Sequence, residues 1–307
     1  MYSQTTDTIL MIEPVAFGFN TETAVNNYFQ KNDSIAPTKL QELALAEFNN
    51  MVDILRKNGL KIIVVKDTLE PHTPDSIFPN NWISFQKDNR VAMYSMFAKN
   101  RRAERRTDVV EKVIGHGFDI SQMVDYSVYE KENRFLEGTG SMIFDRTNRL
   151  VYAALSERTD AQLLKWFCND FGYEPVIFVA NQTVGDKRLS IYHSNVMLSV
   201  ADEFVVVCLE SIDDADERRM LTEKFKATKK EIIEISEKQM QHFAGNMLQL
   251  NNIDGEKLLV LSQTAFDSLE KAQIEKLTKY NNLIVVPVPT IEKYGGGSVR
   301  CMMAEVF

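Results

Sequence analysis

The alternation of short apolar segments with amphipathic helical segments is the feature that most constrains the fold. Two segments of strand character, a helical segment and a further strand segment follow one another about five times, some 60 residues apart. Such recurrence predicts a radial or stacked architecture, although simple alternation is also typical of an ordinary α/β domain. No low-complexity segment or linker divides the chain, so we predict a single domain over residues 1–307.

Apolar spacing and terminal signals predict the helices. Pro37 suits the first turn of a helix, and Gly59 suits its end. Asp160 is a preferred N-cap residue, and Gly172 can end the helix that follows it. We therefore predict helices over residues 37–59, 101–117, 160–172, 213–228 and 266–280.

Composition and charge limit the classes of function. The net charge of −8 disfavours a general nucleic-acid-binding protein and is compatible with an enzyme that acts on a small molecule. Cys168, Cys208 and Cys301 are widely separated and form neither a disulfide framework nor a zinc-binding pattern. No signal peptide and no apolar run of membrane-spanning length is visible. We expect a cytoplasmic protein, compatible with a homodimer, that binds no nucleic acid, membrane, metal or cofactor.

The last thirteen residues combine three glycines with a cysteine. The glycines at 295–297 free the backbone from the usual φ limits and permit close approach of other atoms. Cys301 follows at the head of an apolar segment, where a thiol can face a cleft, and the adjacent Arg300 can favour the nucleophilic thiolate. A buried, unreactive cysteine after a flexible connector is the alternative.

Three further polar clusters stand ahead of predicted strands, where loops can present side chains. The first contains Asp75 and Asn81, and the second contains Glu137 beside two glycines. The third contains His193, followed by Asn195, and histidine is the usual acid–base group near neutral pH. Taken alone, each cluster is more typical of a turn, a hairpin loop or a structural histidine.

Arginines provide candidate anion-binding groups. They occur as a basic run and as one residue of a later Ser-x-Arg-Thr element, namely Arg101, Arg102, Arg105, Arg106 and Arg158. Arginine can clamp a carboxylate through two parallel hydrogen bonds. Most arginines on a protein surface are instead solvated, so the basic run by itself identifies no site.

Taken in order, these clusters resemble the guanidine-modifying, or pentein, superfamily, which includes arginine deiminases, dimethylargininases and glycine amidinotransferases. The similarity extends over nearly the whole chain and is greatest to the bacterial citrulline hydrolases, which are loosely described as amidinotransferases. It implies an α/β propeller of five ββαβ modules around a pseudo-fivefold axis, in agreement with the repeat recognised independently above. It also implies a cysteine nucleophile that attacks a planar carbon bonded to nitrogen.

The resemblance implies a catalytic role for three residues. Cys301 corresponds by position to the nucleophile, His193 to the general acid/base and Glu137 to the partner that orients the histidine. This combination is chemically coherent, because a poor nitrogen leaving group needs a proton and the covalent intermediate is later hydrolysed by water.

The resemblance also implies contacts to an amino-acid substrate. Asp75 corresponds to the residue that holds the α-amino group, and Arg158 to the residue that holds the α-carboxylate. A second arginine for the carboxylate maps loosely to Arg105. These contacts predict a free amino acid as the substrate.

Two departures from the family pattern concern the reacting group, and a third concerns how Glu137 is held. Asn81 and Asn195 stand where arginine-processing relatives carry carboxylates, and Gly140 stands where many relatives carry aspartate. A carboxylate pairs with a cationic guanidinium, whereas an amide offers both a donor and an acceptor to a neutral ureido group. The two asparagines therefore favour citrulline over arginine as the substrate.

The sequence predicts a cysteine-dependent hydrolase of citrulline that yields ornithine, ammonia and carbon dioxide. The first alternative is a deiminase, dimethylargininase or amidinotransferase that acts on a guanidino substrate such as arginine. The second is a non-catalytic pentein that binds a macromolecule, because a fold alone does not define a function. The joint presence of Cys301, His193 and Glu137 disfavours the second alternative.

Overall fold

The computed structural model describes residues 3–307 and has an α/β fold that contains five three-stranded sheets. In four sheets, two antiparallel strands are followed by helix and by a third strand parallel to the second. The remaining sheet takes its antiparallel strand from the other end of the chain. The prediction of five ββαβ modules is confirmed; residues 1 and 2 of the predicted domain lie outside the described residues.

The first three modules lie in the first 178 residues. The first contains β1 (Thr8–Glu13), α1 (Pro37–Lys57) and β2 (Lys61–Lys66). The second contains β3 (Ile83–Phe85), β4 (Arg90–Met93), α2 (Thr107–Gly115) and β5 (Gln122–Asp125). The third contains α3 (Gly138–Ser141), β6 (Ile143–Asp145), β7 (Leu150–Ala154), α4 (Ala161–Phe171) and β8 (Glu174–Phe178).

The remaining elements complete the ring. A hairpin is formed by β9 (Asn181–Val184) and β10 (Lys187–Ser190). The fourth module contains β11 (Leu198–Val200), β12 (Phe204–Val207), α5 (Ala215–Ala227) and β13 (Glu231–Glu234). The fifth contains α6 (Glu237–Met240), β14 (Leu248–Asn251), β15 (Lys257–Ser262), α7 (Gln263–Ser268), α8 (Lys271–Thr278) and β16 (Asn282–Val286). Finally, α9 (Pro289–Gly295) leads to β17 (Ala304–Val306), which pairs with β1.

The helices pack apolar faces against the sheets. In α1, buried residues recur at the predicted helical spacing, at Leu40, Ala44, Phe48, Met51 and Leu55. The side chain of Asp160 caps α4, and Gly172 ends it with a φ of 69°, as predicted. In the part of the chain that the structure describes, none of the helices is long and apolar enough to cross a membrane.

Two predicted helices are interrupted. Residues 101–117 form a 3-10 turn at Asn100–Glu104 and then α2, because Arg101 is buried and hydrogen-bonded to Glu104 and to Asn81. Residues 266–280 divide into α7 and α8, where Glu270 forms a capping box that begins the second helix. In both places the break follows from side-chain hydrogen bonds that apolar spacing does not reveal.

The glycine-rich connector is more ordered than the sequence indicates. Gly295 ends α9, and only Gly296 of the three glycines has a positive φ, of 64°. A Cβ atom at Gly295 or Gly297 would lie 2.8 Å or 2.9 Å from the Phe78 ring. These two glycines are therefore required by close packing rather than by backbone conformation.

Candidate active site

The turns ahead of the antiparallel first strands converge on one place. The first strands of neighbouring modules lie against one another, β17 with β3, β6 with β11 and β11 with β14. Four hydrogen bonds connect the turns in ring order: Asn80 to Thr139 (3.2 Å), Ser194 to Ser141 (2.7 Å), Asn246 to Asn195 (3.0 Å) and Arg300 to Asn246 (3.0 Å). The position of each turn is therefore fixed by its neighbours.

Cys301 lies on the turn ahead of β17 and is buried. Its Sγ accepts hydrogen bonds from Asn195 Nδ2 and Asn246 Nδ2, each at 3.3 Å. The neighbouring Arg300 points elsewhere, because its guanidinium donates to the Met303 carbonyl and to Glu305 Oε2, both at 2.9 Å. The expectation that Arg300 favours the thiolate is therefore wrong, and two amides surround the sulfur instead.

His193 and Glu137 form a buried pair, with 2.7 Å between His193 Nε2 and Glu137 Oε2. Burial lowers the pKa of His193 to about 4, against the opposing effect of Glu137, so the ring is neutral near pH 7. Burial alone would raise the pKa of Glu137, but Arg158 and the hydrogen bond from His193 lower it to about 2. The ionised carboxylate can only accept, so Nε2 carries the proton and Nδ1 keeps a lone pair.

The Glu137 carboxylate is held from three sides. Oε1 accepts a hydrogen bond from the Phe97 amide at 2.9 Å, and Arg158 Nη1 lies 3.6 Å from Oε2, the oxygen that also contacts His193. A Cβ atom at Gly140 would lie 2.7 Å from His193 Nδ1 and 2.5 Å from Asn81 Nδ2. The absence of a side chain at Gly140 thus lets the histidine and the asparagine approach each other.

Asn81 and Asn195 are both buried, and their orientations are fixed by hydrogen bonds. Asn81 Oδ1 accepts from Arg101 Nη1 at 2.8 Å, which leaves Asn81 Nδ2 as the unpaired donor. Asn195 Nδ2 is used by Cys301 Sγ, which leaves Asn195 Oδ1 as an unpaired acceptor. Among residues 3–307, neither of these two atoms has a hydrogen-bond partner, although buried polar atoms are normally paired. Of the two residues, Asn81 lines the cavity described below.

Asp75 and Arg158 face the segment 14–36, which has neither helix nor strand and which we call the cover, because it lies over the cavity described below. Asp75 Oδ2 accepts from Asn20 at 2.7 Å and from the Thr23 hydroxyl at 3.1 Å, while Oδ1 is buried and unpaired within the described chain. Arg158 donates to Asn26 Oδ1 and, at 2.8 Å, to the Thr23 carbonyl. Both groups therefore keep part of their bonding capacity for a ligand while they hold the cover.

Arg105 does not lie in this site. Its guanidinium forms an ion pair with Glu130 at 2.5 Å and donates to the Tyr94 carbonyl. Arg101 is the residue of the basic run that enters the site, where it lies 3.9 Å from Asp75 and is bound to both oxygens of Glu104. An uninterrupted helix would place Arg101 and Arg105, four residues apart, on the same face. The 3-10 turn at Asn100–Glu104 ends before Arg105, whose extended backbone turns its side chain elsewhere.

A cavity of about 20 Å³ lies between these groups, with room for one water molecule. It is enclosed by residues of the turns, the cover and the glycine-rich connector, namely Thr23, Asn27, Asp75, Phe78, Asn81, Arg101, Arg158, Tyr192, His193, Gly295, Gly296, Gly297 and Cys301. An amino acid is larger than this cavity, so the side chains around it must rearrange before one can enter.

Sequence patterns missed several residues of the site. Arg101 was not separated from its basic neighbours, and Asn246 was overlooked because β14 was not predicted. Recognition of the alternating segment Leu248–Asn251 as a first strand would have placed Asn246 at the position that the other turns use for site residues. Thr23 and Asn26 carry no signal, because they lie in a segment without helix or strand.

The family model described as N,N dimethylarginine dimethylhydrolase, eukaryotic, matches residues 13–307 of the chain. No protein with a curated description matches the sequence. Among solved structures, the cyanobacterial arginine dihydrolase ArgZ superposes with a TM-score of 0.74 at 17% identity, over 97% of this chain and 40% of that one. The present chain thus spans two fifths of full-length ArgZ.

Shorter structures match along their whole length. The N-terminal domain of ArgZ, as a cysteine-to-serine variant bound to substrate, gives a TM-score of 0.74 at 17% identity and 97% coverage of both chains. An adduct of a dimethylarginine dimethylaminohydrolase variant with S-methyl-L-thiocitrulline gives 0.63 at 15% identity, over 99% of this chain and 100% of that one. At such identities the superpositions establish the pentein fold, as predicted.

Proposed function

The chain belongs to the N,N-dimethylarginine dimethylhydrolase family within the pentein superfamily, and from this premise we propose that it hydrolyses the guanidino group of arginine. The proposed overall reaction converts arginine and two molecules of water into ornithine, carbon dioxide and two molecules of ammonia. This assignment departs from the citrulline predicted from the sequence, because the comparisons favour a guanidino substrate. In the proposal, citrulline is the product of the first hydrolysis and the substrate of the second.

Cys301 is the proposed nucleophile. As the sulfur attacks the central guanidino carbon, Nδ1 of His193 accepts a proton from the thiol or from solvent. It then passes this proton to the nitrogen whose bond to the carbon breaks, and ammonia leaves. His193 is suited to this task because its Nδ1 lone pair is free while Nε2 is held by Glu137. The same nitrogen can then take a proton from the water that hydrolyses the thioester-like intermediate and releases the sulfur.

The proposal of a two-stage reaction rests on the unpaired donor Asn81 Nδ2 and the unpaired acceptor Asn195 Oδ1. A guanidinium has donors only, so it can satisfy Asn195 Oδ1 but not the donor Asn81 Nδ2. A ureido group has a carbonyl oxygen for Asn81 and an amino group for Asn195. Since Arg101 fixes the orientation of Asn81, the site is complementary to the ureido stage that follows the first hydrolysis, and it supports continuation to ornithine.

Asp75 and Arg158 are the proposed contacts to the rest of the amino acid. Asp75 Oδ1 is unpaired within residues 3–307 and can accept from the α-amino group, and Arg158 can donate to the α-carboxylate. Arg101, rather than Arg105, is the arginine whose position allows a second contact. Both proposed contacts lie beside the cover.

The substrate is tested by incubating the protein separately with arginine, N,N-dimethylarginine and citrulline. We expect ornithine and ammonia from arginine and from citrulline, and none from a Cys301→Ala variant, whose rate should fall by roughly a thousandfold or more. Dimethylamine with citrulline would instead assign the activity in the family name, and citrulline turnover without arginine turnover would restore the first prediction. Full activity of Cys301→Ala would exclude the cysteine mechanism.

The two-stage course is tested with Asn81→Asp, which replaces the free donor by an acceptor of the same size. We expect this variant to release citrulline from arginine and to lose the step to ornithine, because a carboxylate repels the ureido oxygen. Asn80→Asp is the matched control, since Asn80 is equally buried but bonds to Thr139. An unchanged ratio of ornithine to citrulline in Asn81→Asp would contradict the proposed role.

A further inference from the structure

Asn246 is a buried residue of the turn ahead of β14, and it is not among the residues proposed to contact the substrate. It is completely buried, and the preceding Gly245 packs so closely on the Val196 carbonyl that a Cβ atom would collide with it. Its amide forms three hydrogen bonds, to Cys301 Sγ at 3.3 Å, to the Asn195 carbonyl at 3.0 Å and from the Arg300 amide at 3.0 Å. It therefore connects three turns: the turn ahead of β11, the turn ahead of β14 and the turn ahead of β17, which carries Cys301.

These bonds determine which end of the amide faces the sulfur. The Arg300 N–H is a donor, so it requires Oδ1 of Asn246, and the Asn195 carbonyl is an acceptor, so it requires Nδ2. Rotation of the amide by 180° would break both bonds and would place an oxygen against Sγ. The second N–H of Asn246 is consequently aimed at Cys301 by the backbone of two other turns.

The sulfur is surrounded by amide donors rather than by a cation. Arg300 is paired with Glu305, and burial keeps His193 neutral near pH 7 by lowering its pKa to about 4. The side-chain hydrogen bonds to Sγ come from Asn195 and Asn246. A neutral thiol is a weak acceptor, whereas hydrogen bonds to a charged group are about twice as strong as neutral ones. The hydrogen bonds from these two fixed donors therefore become stronger as negative charge develops on the sulfur.

We propose that Asn246 is a positioning residue that, together with Asn195, directs the Cys301 sulfur into the cavity and stabilises the negative charge that develops on it when it reacts. The proposal rests on the proposed function only in taking Cys301 as the nucleophile. Asn246 does not need to touch the substrate, since all of its bonds are to Cys301, Asn195 and Arg300. Its contribution is expected in kcat and in the reactivity of the free enzyme, with little effect on KM.

The test measures how fast iodoacetamide alkylates Cys301 at pH 7 without substrate, by mass spectrometry of the peptide that contains this residue. Asn246→Ala should react about tenfold or more slowly than the wild type, and its kcat should fall by at least as much, because a hydrogen bond to a charged group is lost. Asn195→Ala should slow alkylation to a similar extent. Asn281→Ala is the control, since Asn281 is a buried and hydrogen-bonded amide outside the site.

Asn246→Asp separates support of the sulfur from support of the backbone. The aspartate has the same shape and still accepts from the Arg300 amide, but it lacks both donors and adds a negative charge. Alkylation slower than in Asn246→Ala supports the proposal, whereas alkylation at the wild-type rate in both variants overturns it. A purely structural role would leave Asn246→Asp closer to the wild type than Asn246→Ala.

Failure of this inference can be distinguished from failure of the proposed function. If Cys301→Ala keeps full activity, the nucleophile is misassigned, whatever the alkylation rates are. If Cys301→Ala is inactive but Asn246→Ala retains both kcat and alkylation rate, only the role of Asn246 is wrong.

Discussion

The two ends of the cavity are built in different ways. The reacting end, with Cys301, His193 and Glu137, stands on turns that precede strands of three modules and are bonded to their neighbours. The covering end is the segment 14–36, which has neither helix nor strand and is attached by side chains to Asp75, Arg158 and the glycine-rich connector. The first end is positioned by turns between elements of the fold. The second is held by hydrogen bonds, one of which joins the backbones of Lys31 and Lys293, and by burial of Phe17 and Phe29 in the core.

We expect the first end to determine the reaction and the second end to determine how a substrate enters the cavity. Groups on rigid elements keep the geometry that covalent catalysis needs, while a segment held by side chains can open at modest cost. The groups proposed to bind the amino acid, Asp75 and Arg158, are also the groups that hold the cover. A substrate that displaces Asn20 or Asn26 from them thus exchanges one set of hydrogen bonds for another.

The largest effect is expected from the reacting end, with Glu137→Gln. The amide can no longer stabilise a protonated His193, so kcat should fall by roughly a thousandfold with KM within about threefold of the wild type. Glu130→Gln is the control, because Glu130 pairs with Arg105 outside the site. Steady-state kinetics would contradict the comparison if KM, rather than kcat, carried the loss.

The next largest effect is expected at acidic pH, where protonation of His193 at the reacting end should lower the stability of the folded protein. The pKa of His193 is lowered from 6.5 to about 4 in the folded protein, so the unfolded chain binds a proton that the folded chain excludes. Stability should therefore be complete above pH 6.5 and fall on the order of 3 kcal/mol as the pH decreases to 4. Denaturant unfolding of the wild type and of His193→Gln over this range would measure it. Parallel curves for the two proteins would show that His193 is not responsible.

Arg158→Ala tests the boundary between the two ends. Loss of the carboxylate contact should raise KM for the amino acid by tens of fold or about 2 kcal/mol, whereas a substrate analogue without the carboxylate should be nearly indifferent. Arg105→Ala is the control outside the cavity and should leave KM within about twofold. An equal loss for both substrates would indicate that Arg158 acts mainly through Glu137.

The smallest effect is expected within the cover, from Asn27→Ala. This change removes two long hydrogen bonds to the carbonyls of Gly295 and Gly296, at 3.4 Å and 3.3 Å, and one from the Phe29 amide at 3.2 Å, and it leaves the reacting groups unchanged. We expect kcat and KM to change by about threefold or less, and trypsin to cleave the cover faster. A loss of activity comparable with that of Glu137→Gln would remove the distinction between the two ends.

Much of the architecture could be predicted from the sequence. The spacing of apolar residues and the residues typical of helix ends predict α1 and α4, because buried faces and caps are local properties of the sequence. The exposed strand β5 and the hairpin β9–β10 were missed, because their residues are largely polar and lack an apolar run. The same limitation hid β14, and with it Asn246.

Resemblance to the family and the order of residues along the chain predicted a set of residues that the structure brings close together. The structure brings Cys301, His193 and Asp75 to one cavity, with Glu137 bonded to His193 and Asn195 bonded to the sulfur. Which arginine enters the site depends on a 3-10 turn that spacing does not reveal. The orientation of each asparagine depends on a partner distant in sequence, so no local pattern could give it.

The pairing of β17 with β1 also makes catalysis depend on the last stage of folding. Thr8 pairs with Val306, a contact of very large sequence separation that carries a loop-closure cost, and we expect it to form late in folding. Cys301 lies three residues before β17, so its position is set only when this pairing is made. A partly folded chain therefore carries the thiol without the donors that surround it, and reactivity at Cys301 becomes a probe of whether the ring has closed.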